Sequence, residues 1–148
     1  MPLAPIDPRG PRFAAWVTTA VLIAVLLTGS AWLAAAQAAV FALGAFAGLR
    51  FSPYGAFYRA VIAPRLPPPA QREAAAPVRF AQGVGFAFVA VAAAGFAAGL
   101  SPLGLVATAF ALAAAALNAV FGICLGCEVY MRLPGALQRR LQRALTTT

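Results

Sequence analysis

The 148-residue sequence contains no histidine and no lysine, and its only acids are Asp7, Glu73 and Glu128. The absence of histidine excludes imidazole acid–base catalysis and histidine ligation of haem. The stretches 13–49 and 80–123 carry no charged residue, which argues against a proton or ion pathway, because such pathways place ionisable groups inside the spans. With charged residues at 9% and hydrophobic ones at 63%, the chain departs far from the roughly 25% charged average of soluble domains. No phosphate-binding loop, paired-carboxylate site or serine triad is present. What remains is the composition of an integral membrane protein, with a mean hydropathy of +0.87.

The charge that is present is one-sided: eleven arginines give a formal +8. Because they flank apolar runs, the expected partners are anionic lipid headgroups rather than nucleic acid. The run 13–49 would make one helix of about 55 Å, beyond an apolar core of about 30 Å, so it must fold back. Thr28-Gly29-Ser30 is the natural turn, with Ser30 capping the next helix. Gly99-Leu100-Ser101-Pro102 breaks the second run in the same way, with Ser101 as cap and Pro102 in the first turn. Alanine-rich runs without period-two alternation exclude strands. The expectation is an all-α, integral membrane four-helix bundle made of two hairpins, with spans near 12–28, 31–49, 80–99 and 103–123.

A signal-like reading of the N-terminus, with cleavage after Ala36-Gln37-Ala38, would leave too short an apolar remainder to cross, so the segment is expected to stay as a span. "RFAAWV" at 12–17 resembles "RFAQGV" at 79–84, and "QAAVFALG" at 37–44 resembles "LNAVFGIC" at 117–124. An internal duplication in one orientation follows. All eleven arginines fall on the same side of this topology, and neither hairpin turn has one. By the positive-inside rule both termini and the segment 50–79 are cytoplasmic, in a bacterial inner membrane. Domain boundaries are accordingly 1–133 for the membrane domain and 134–148 for a basic amphipathic tail. Within the central segment, Ser52 and Pro53 open a short amphipathic helix carrying Tyr54, Phe57, Tyr58, Val61 and Ile62, expected in the interface with its tyrosines at headgroup depth.

Gly44 and Gly48, Gly95 and Gly99, and Gly122 and Gly126 give small-xxx-small spacing suited to close helix packing. Gln37 and Asn118 are the strongest hydrogen-bonding side chains in the spans and are expected to face inward, bonded to each other or to backbone. The chemistry-bearing feature is Cys124 and Cys127, the only cysteines. On a continuous helix they share a face within disulfide range. The cytoplasmic compartment disfavours a permanent disulfide, leaving a transient dithiol. At the end of a span the helix dipole would oppose a thiolate, with Arg132 and Arg50 offsetting it and Glu128 opposing or relaying a proton. Two thiolates and Glu128 fall short of the four ligands of structural zinc. A homodimer would double the thiols, but no metal or cofactor is expected.

The segments "IDPRGPRFAAWV", "GLRFSPYGAFYR" and "NAVFGICLGCEVY" resemble the bacterial membrane family known as domain of unknown function 4395, over about residues 6–131. The most specific element is "CLGCEVY". The resemblance implies four spans and nominates Cys124, Cys127, Glu128 and Tyr130, with Arg50, Ser52 and Pro53 as a second patch. It implies no substrate, and the tail beyond Leu133 lies outside it. Three functions stand side by side at this level. The first is thiol–disulfide exchange or sulfur handling with a cytosolic thioredoxin-like or sulfurtransferase-like partner. The others are a non-catalytic scaffold or assembly subunit, and a small-molecule transporter using Gln37 and Asn118.

Overall fold

The computed structural model describes residues 3–146. The expected domain 1–133 and tail 134–148 reach past these, and positions 1, 2, 147 and 148 lie outside the described residues. Every regular element among the described residues is a helix, joined by one isolated antiparallel bridge between Ile6 and Glu73.

Helix α1 (Arg9–Thr28) stops on Gly29 at φ 61°, a left-handed position that glycine adopts without strain. Ser30 then accepts from the Leu33 N–H at 3.2 Å, capping α2 (Ala31–Ala42) as its sequence position suggests. The axis of α2 continues through one wider π turn, Leu43–Ala47, and ends at Gly48, φ 115°. Helices α4 (Ala75–Ala97) and α5 (Ser101–Phe121) form the second hairpin, turning at Gly99, φ 76°. Leu100, not Ser101, occupies the cap position of α5, and Ser101 is already its first residue. Helices α1, α4 and α5 are long and apolar enough to cross a membrane; the Ala31–Ala47 helix is apolar but shorter, at roughly 25 Å.

The hairpins interleave. α4 packs along both α2 and α5, and α1 packs along α5, while α1 and α2 touch each other much less. Leu22 and Val25 of α1, Ala34 and Ala38 of α2, Val89 of α4 and Ala111 of α5 form the buried cluster. Small residues let the backbones approach: a Cβ on Gly95 would sit 2.9 Å from the Gly104 backbone nitrogen.

Two arginines, each near the start of the first helix of a hairpin, play equivalent parts. Arg12, at the start of α1, donates to the Ala119 and Val120 carbonyls at the end of α5, at 3.0 and 2.9 Å. Arg79, near the start of α4, donates to the Ala45 carbonyl at 3.1 and 2.8 Å and to the Phe46 carbonyl at 3.1 Å, in the π turn closing α2. Each hairpin thus supplies the guanidinium that satisfies the last, otherwise unpaired carbonyls of the other. This explains why α4 begins before residue 80: its first turns carry Arg79, only 4% exposed, into the bundle. Arg79 also donates to the Leu145 carbonyl of the tail helix α7 (Gly135–Thr146).

The segment after α2 departs from the expected interfacial helix. It comprises a short 3-10 turn (Leu49–Phe51), α3 (Pro53–Phe57), a π turn (Tyr58–Ile62) and a final 3-10 turn (Ala63–Arg65). Its tyrosines turn inward rather than to headgroups. Tyr54 donates to Gln37 Oε1 at 2.7 Å and Tyr58 donates to Asp7 Oδ2 at 3.1 Å. Buried polar partners outcompete water for these hydroxyls once their rings are packed.

Candidate functional site: a dithiol at a helix start

The cysteines do not lie on a continuous helix. α5 ends at Phe121, and Gly122 takes the left-handed conformation, φ 70°, with its N–H on the Asn118 carbonyl at 3.0 Å. The chain then restarts as α6 (Leu125–Arg132), with extended Cys124 as its N-cap residue. The expected end-of-span placement is therefore corrected. The pair occupies the N-terminus of a new helix, where unpaired N–H groups and the positive end of the dipole favour a thiolate. Arg12 contributes to the break, since it satisfies two carbonyls that α5 leaves behind.

Cys124 Sγ accepts from the Cys127 backbone N–H at 3.4 Å and from the Cys127 thiol at 2.6 Å. Both cysteines are free and half-buried. The hydrogen bond from the Cys127 thiol is the main influence bringing the Cys124 thiol down to about 7, and the N–H groups of Cys127 and Gly126 act in the same direction. Burial and the Glu73 carboxylate oppose it. The same sulfur contact, with burial, pushes the Cys127 thiol far up. The contact thus biases the pair in opposite directions, the Cys124 thiol downward and the Cys127 thiol upward.

Gly126, between them, fixes the site on α4. A Cβ there would fall 2.6 Å from both Cα and Cβ of Ala81, so α6 lies backbone-close against α4. Tyr130 is 5% exposed and packs on Phe80 with ring centroids 5.6 Å apart. The far end of α6 is closed by Gln138, which donates to the Tyr130, Leu133 and Met131 carbonyls at 2.9, 3.1 and 3.2 Å. The dithiol therefore sits on a short helix held at both ends.

Of the other residues singled out by sequence, Glu128 and Arg132 share the exposed face of α6 and pair with each other at 3.9 Å. Arg50 lies over the Phe51 ring at 4.5 Å. Neither guanidinium is what lowers Cys124. Ser52 and Pro53 sit at the N-cap and first turn of α3, at the second patch. Gln37 is buried and donates to Thr18 Oγ1 at 3.5 Å while accepting from Tyr54, so its amide is satisfied without Asn118. Asn118 is half-buried near the end of α5.

Sequence reasoning missed Glu73 and the part Arg12 plays at the end of α5, whereas Gly126 entered it as a packing glycine and packs closely here, against α4. Glu73 is the one carboxylate whose charge acts on both thiols. Its backbone is held by reciprocal 2.9 Å bonds with Ile6, a pairing that residue type alone does not signal. Among the described residues, no group of three or more His, Cys, Asp or Glu side chains is placed to hold a metal ion.

No curated protein and no solved structure matches the chain. Residues 6–134 match the family described as Domain of unknown function (DUF4395), a stretch that takes in α1 through α6 and stops where α7 begins; the chain belongs to that family.

Proposed function

We propose that this chain is a four-span bacterial inner-membrane protein that exchanges thiol for disulfide on the cytoplasmic side, through Cys124 and Cys127, with a soluble thioredoxin-like protein. The observation that carries the reading is the placement of Cys124 at the start of α6, its sulfur accepting from Cys127 at 2.6 Å. Exchange needs one thiolate to attack and a second thiol to resolve, within disulfide reach of about 2.05 Å after a small rotation.

The steps balance without any further redox group. Cys124 thiolate attacks one sulfur of the partner's disulfide, forming a mixed disulfide and releasing a partner thiolate, which takes up a proton. Cys127 then loses its proton and its sulfur attacks Cys124 Sγ. The Cys124–Cys127 disulfide forms and the second partner thiolate departs. Two electrons pass from this chain to the partner, and the reverse sequence returns them. A sulfurtransferase-like partner would instead offer a persulfide, whose outer sulfur Cys124 takes before Cys127 expels it as hydrosulfide.

The topology has two supports. The arginine distribution follows the positive-inside rule. In addition, Arg12 ties the start of α1 to the end of α5, which keeps the N-terminal segment on the same side as the cysteines. The Ala31–Ala47 helix is the shortest crossing; local thinning of the bilayer accommodates it. The test is to incubate liposome-embedded protein with a disulfide-form thioredoxin-like protein and count maleimide-reactive thiols. Loss of two thiols per chain, matched by two gained on the partner, is expected. Unchanged labelling after equilibration would end the exchange reading.

A further inference from the structure

Away from the cysteines, beside the start of α1, the chain forms an open-sided cavity of about 260 Å³. Ile6, Leu49 and Val78 give it apolar walls, and Ser52, Gln82, Arg59 and Arg72 give it polar ones. Ser52 is 5% exposed, yet its hydroxyl caps nothing and has no hydrogen-bond partner among the described residues. No buried side-chain oxygen or nitrogen among the described residues lacks a partner, so the Ser52 hydroxyl keeps its access to the cavity and stands free to donate into it. The Gln82 amide, wedged over Gly44 where a Cβ would meet its Oε1 at 2.9 Å, is also unbonded.

The charges around this space favour an acceptor. Arg72 has no ion pair or hydrogen bond among the described residues. Arg59 donates only to the Leu49 and Arg50 carbonyls, at 3.4 and 2.6 Å, so its positive charge is not neutralised. Asp7 also borders the cavity, but Arg9 pairs with it at 3.0 Å and Tyr58 donates to it. Its charge is therefore spent inside the protein. The lining offers donors and uncompensated positive charge above an apolar wall, close to where α1 and α4 begin.

We propose that this cavity binds the phosphate head of an anionic amphiphile, and that its natural occupant is an acidic membrane phospholipid. Arg59 and Arg72 supply the charge, Ser52 and Gln82 donate to phosphate oxygens, and the apolar wall takes the glycerol and the first methylenes. Arginine is suited to phosphate because its planar donors match the oxygens. The apolar wall favours a lipid over a free phosphate, which would leave that surface wet. The proposal is independent of the cysteines, and Cys124→Ser with Cys127→Ser should retain the lipid.

Native mass spectrometry of the full chain in neutral detergent tests this with three probes: phosphatidylglycerol, phosphatidylcholine of the same chains, and glycerol 3-phosphate. Phosphatidylglycerol should be retained about tenfold over phosphatidylcholine, the discrimination expected of two partly shielded charge contacts. Retention should fall severalfold in Arg72→Gln, a change at an exposed and unpaired side chain that leaves the fold intact, and fall further with Arg59→Gln or Ser52→Ala. It should persist in a tail variant with R139Q, R140Q and R143Q. Equal retention of both lipids, or equal loss in the tail variant and in Arg72→Gln, would overturn the site. Glycerol 3-phosphate binding as firmly as the lipid would overturn the lipid as its source.

Discussion

Cys127→Ala removes the thiol that donates to Cys124 Sγ from 2.6 Å and leaves the backbone N–H of residue 127 in place at 3.4 Å. That thiol is the largest influence holding Cys124 at about 7. Without it Cys124 should titrate close to an ordinary thiol, about 8.5. The change corresponds to about 2 kcal/mol of lost thiolate stabilisation. A thiol is unreactive while protonated, so alkylation rises as pH rises through its pKa. At neutral pH the thiolate fraction should fall from about one half to about 3%, a loss of roughly fifteenfold. Iodoacetamide alkylation of Cys124, followed by mass spectrometry across the pH range in both proteins, reads this directly. A common midpoint in wild type and variant, or a wild-type midpoint near that of a free thiol, would refute the assignment of Cys127 as the donor.

Glu73→Gln removes the carboxylate that opposes the Cys124 thiolate, so the alkylation midpoint should move to lower pH, whereas Glu128→Gln should leave it in place. Gly126→Ala forces a methyl to within 2.6 Å of Ala81; overpacking of this kind costs about 1–3 kcal/mol, and both the thermal midpoint and the Cys124 reactivity should drop together. Arg79→Gln strips donors from the Ala45, Phe46 and Leu145 carbonyls. A loss of about 2–4 kcal/mol is expected from buried carbonyls left unpaired, measured as thermal unfolding in detergent, and the more exposed Arg12→Gln should cost less.

The elements legible in the sequence were those written in local chemistry. Gly29-Ser30 marked the first turn, Gly99 to Pro102 the second, and charge-free length required the chain to fold back. The likeness of the segments that begin at Arg12 and Arg79 was legible too, although the closing of each hairpin's helix end by the other hairpin's arginine was not, because the partner carbonyls lie 107 and 34 residues away. The break before Cys124 went unread because Gly122 sits in an apolar run and, with Gly126, fits a helix-packing motif equally well. A signal was nonetheless there: Glu128 falls in the first turn of α6, where an acid favours a helix start. The tyrosines misled for a different reason. Their apolar period was correct, but what a hydroxyl bonds to depends on which distant polar group the fold buries beside it.

The most direct test of the exchange reading is a redox titration of the liposome-embedded protein in dithiol buffers, scored by maleimide mass addition. Cys124 and Cys127 should convert together in one two-electron transition, with a midpoint between about −270 and −120 mV, the range of thiol–disulfide exchange proteins. Two thiols that stay free at oxidising potentials, or that are modified independently of each other, would contradict it.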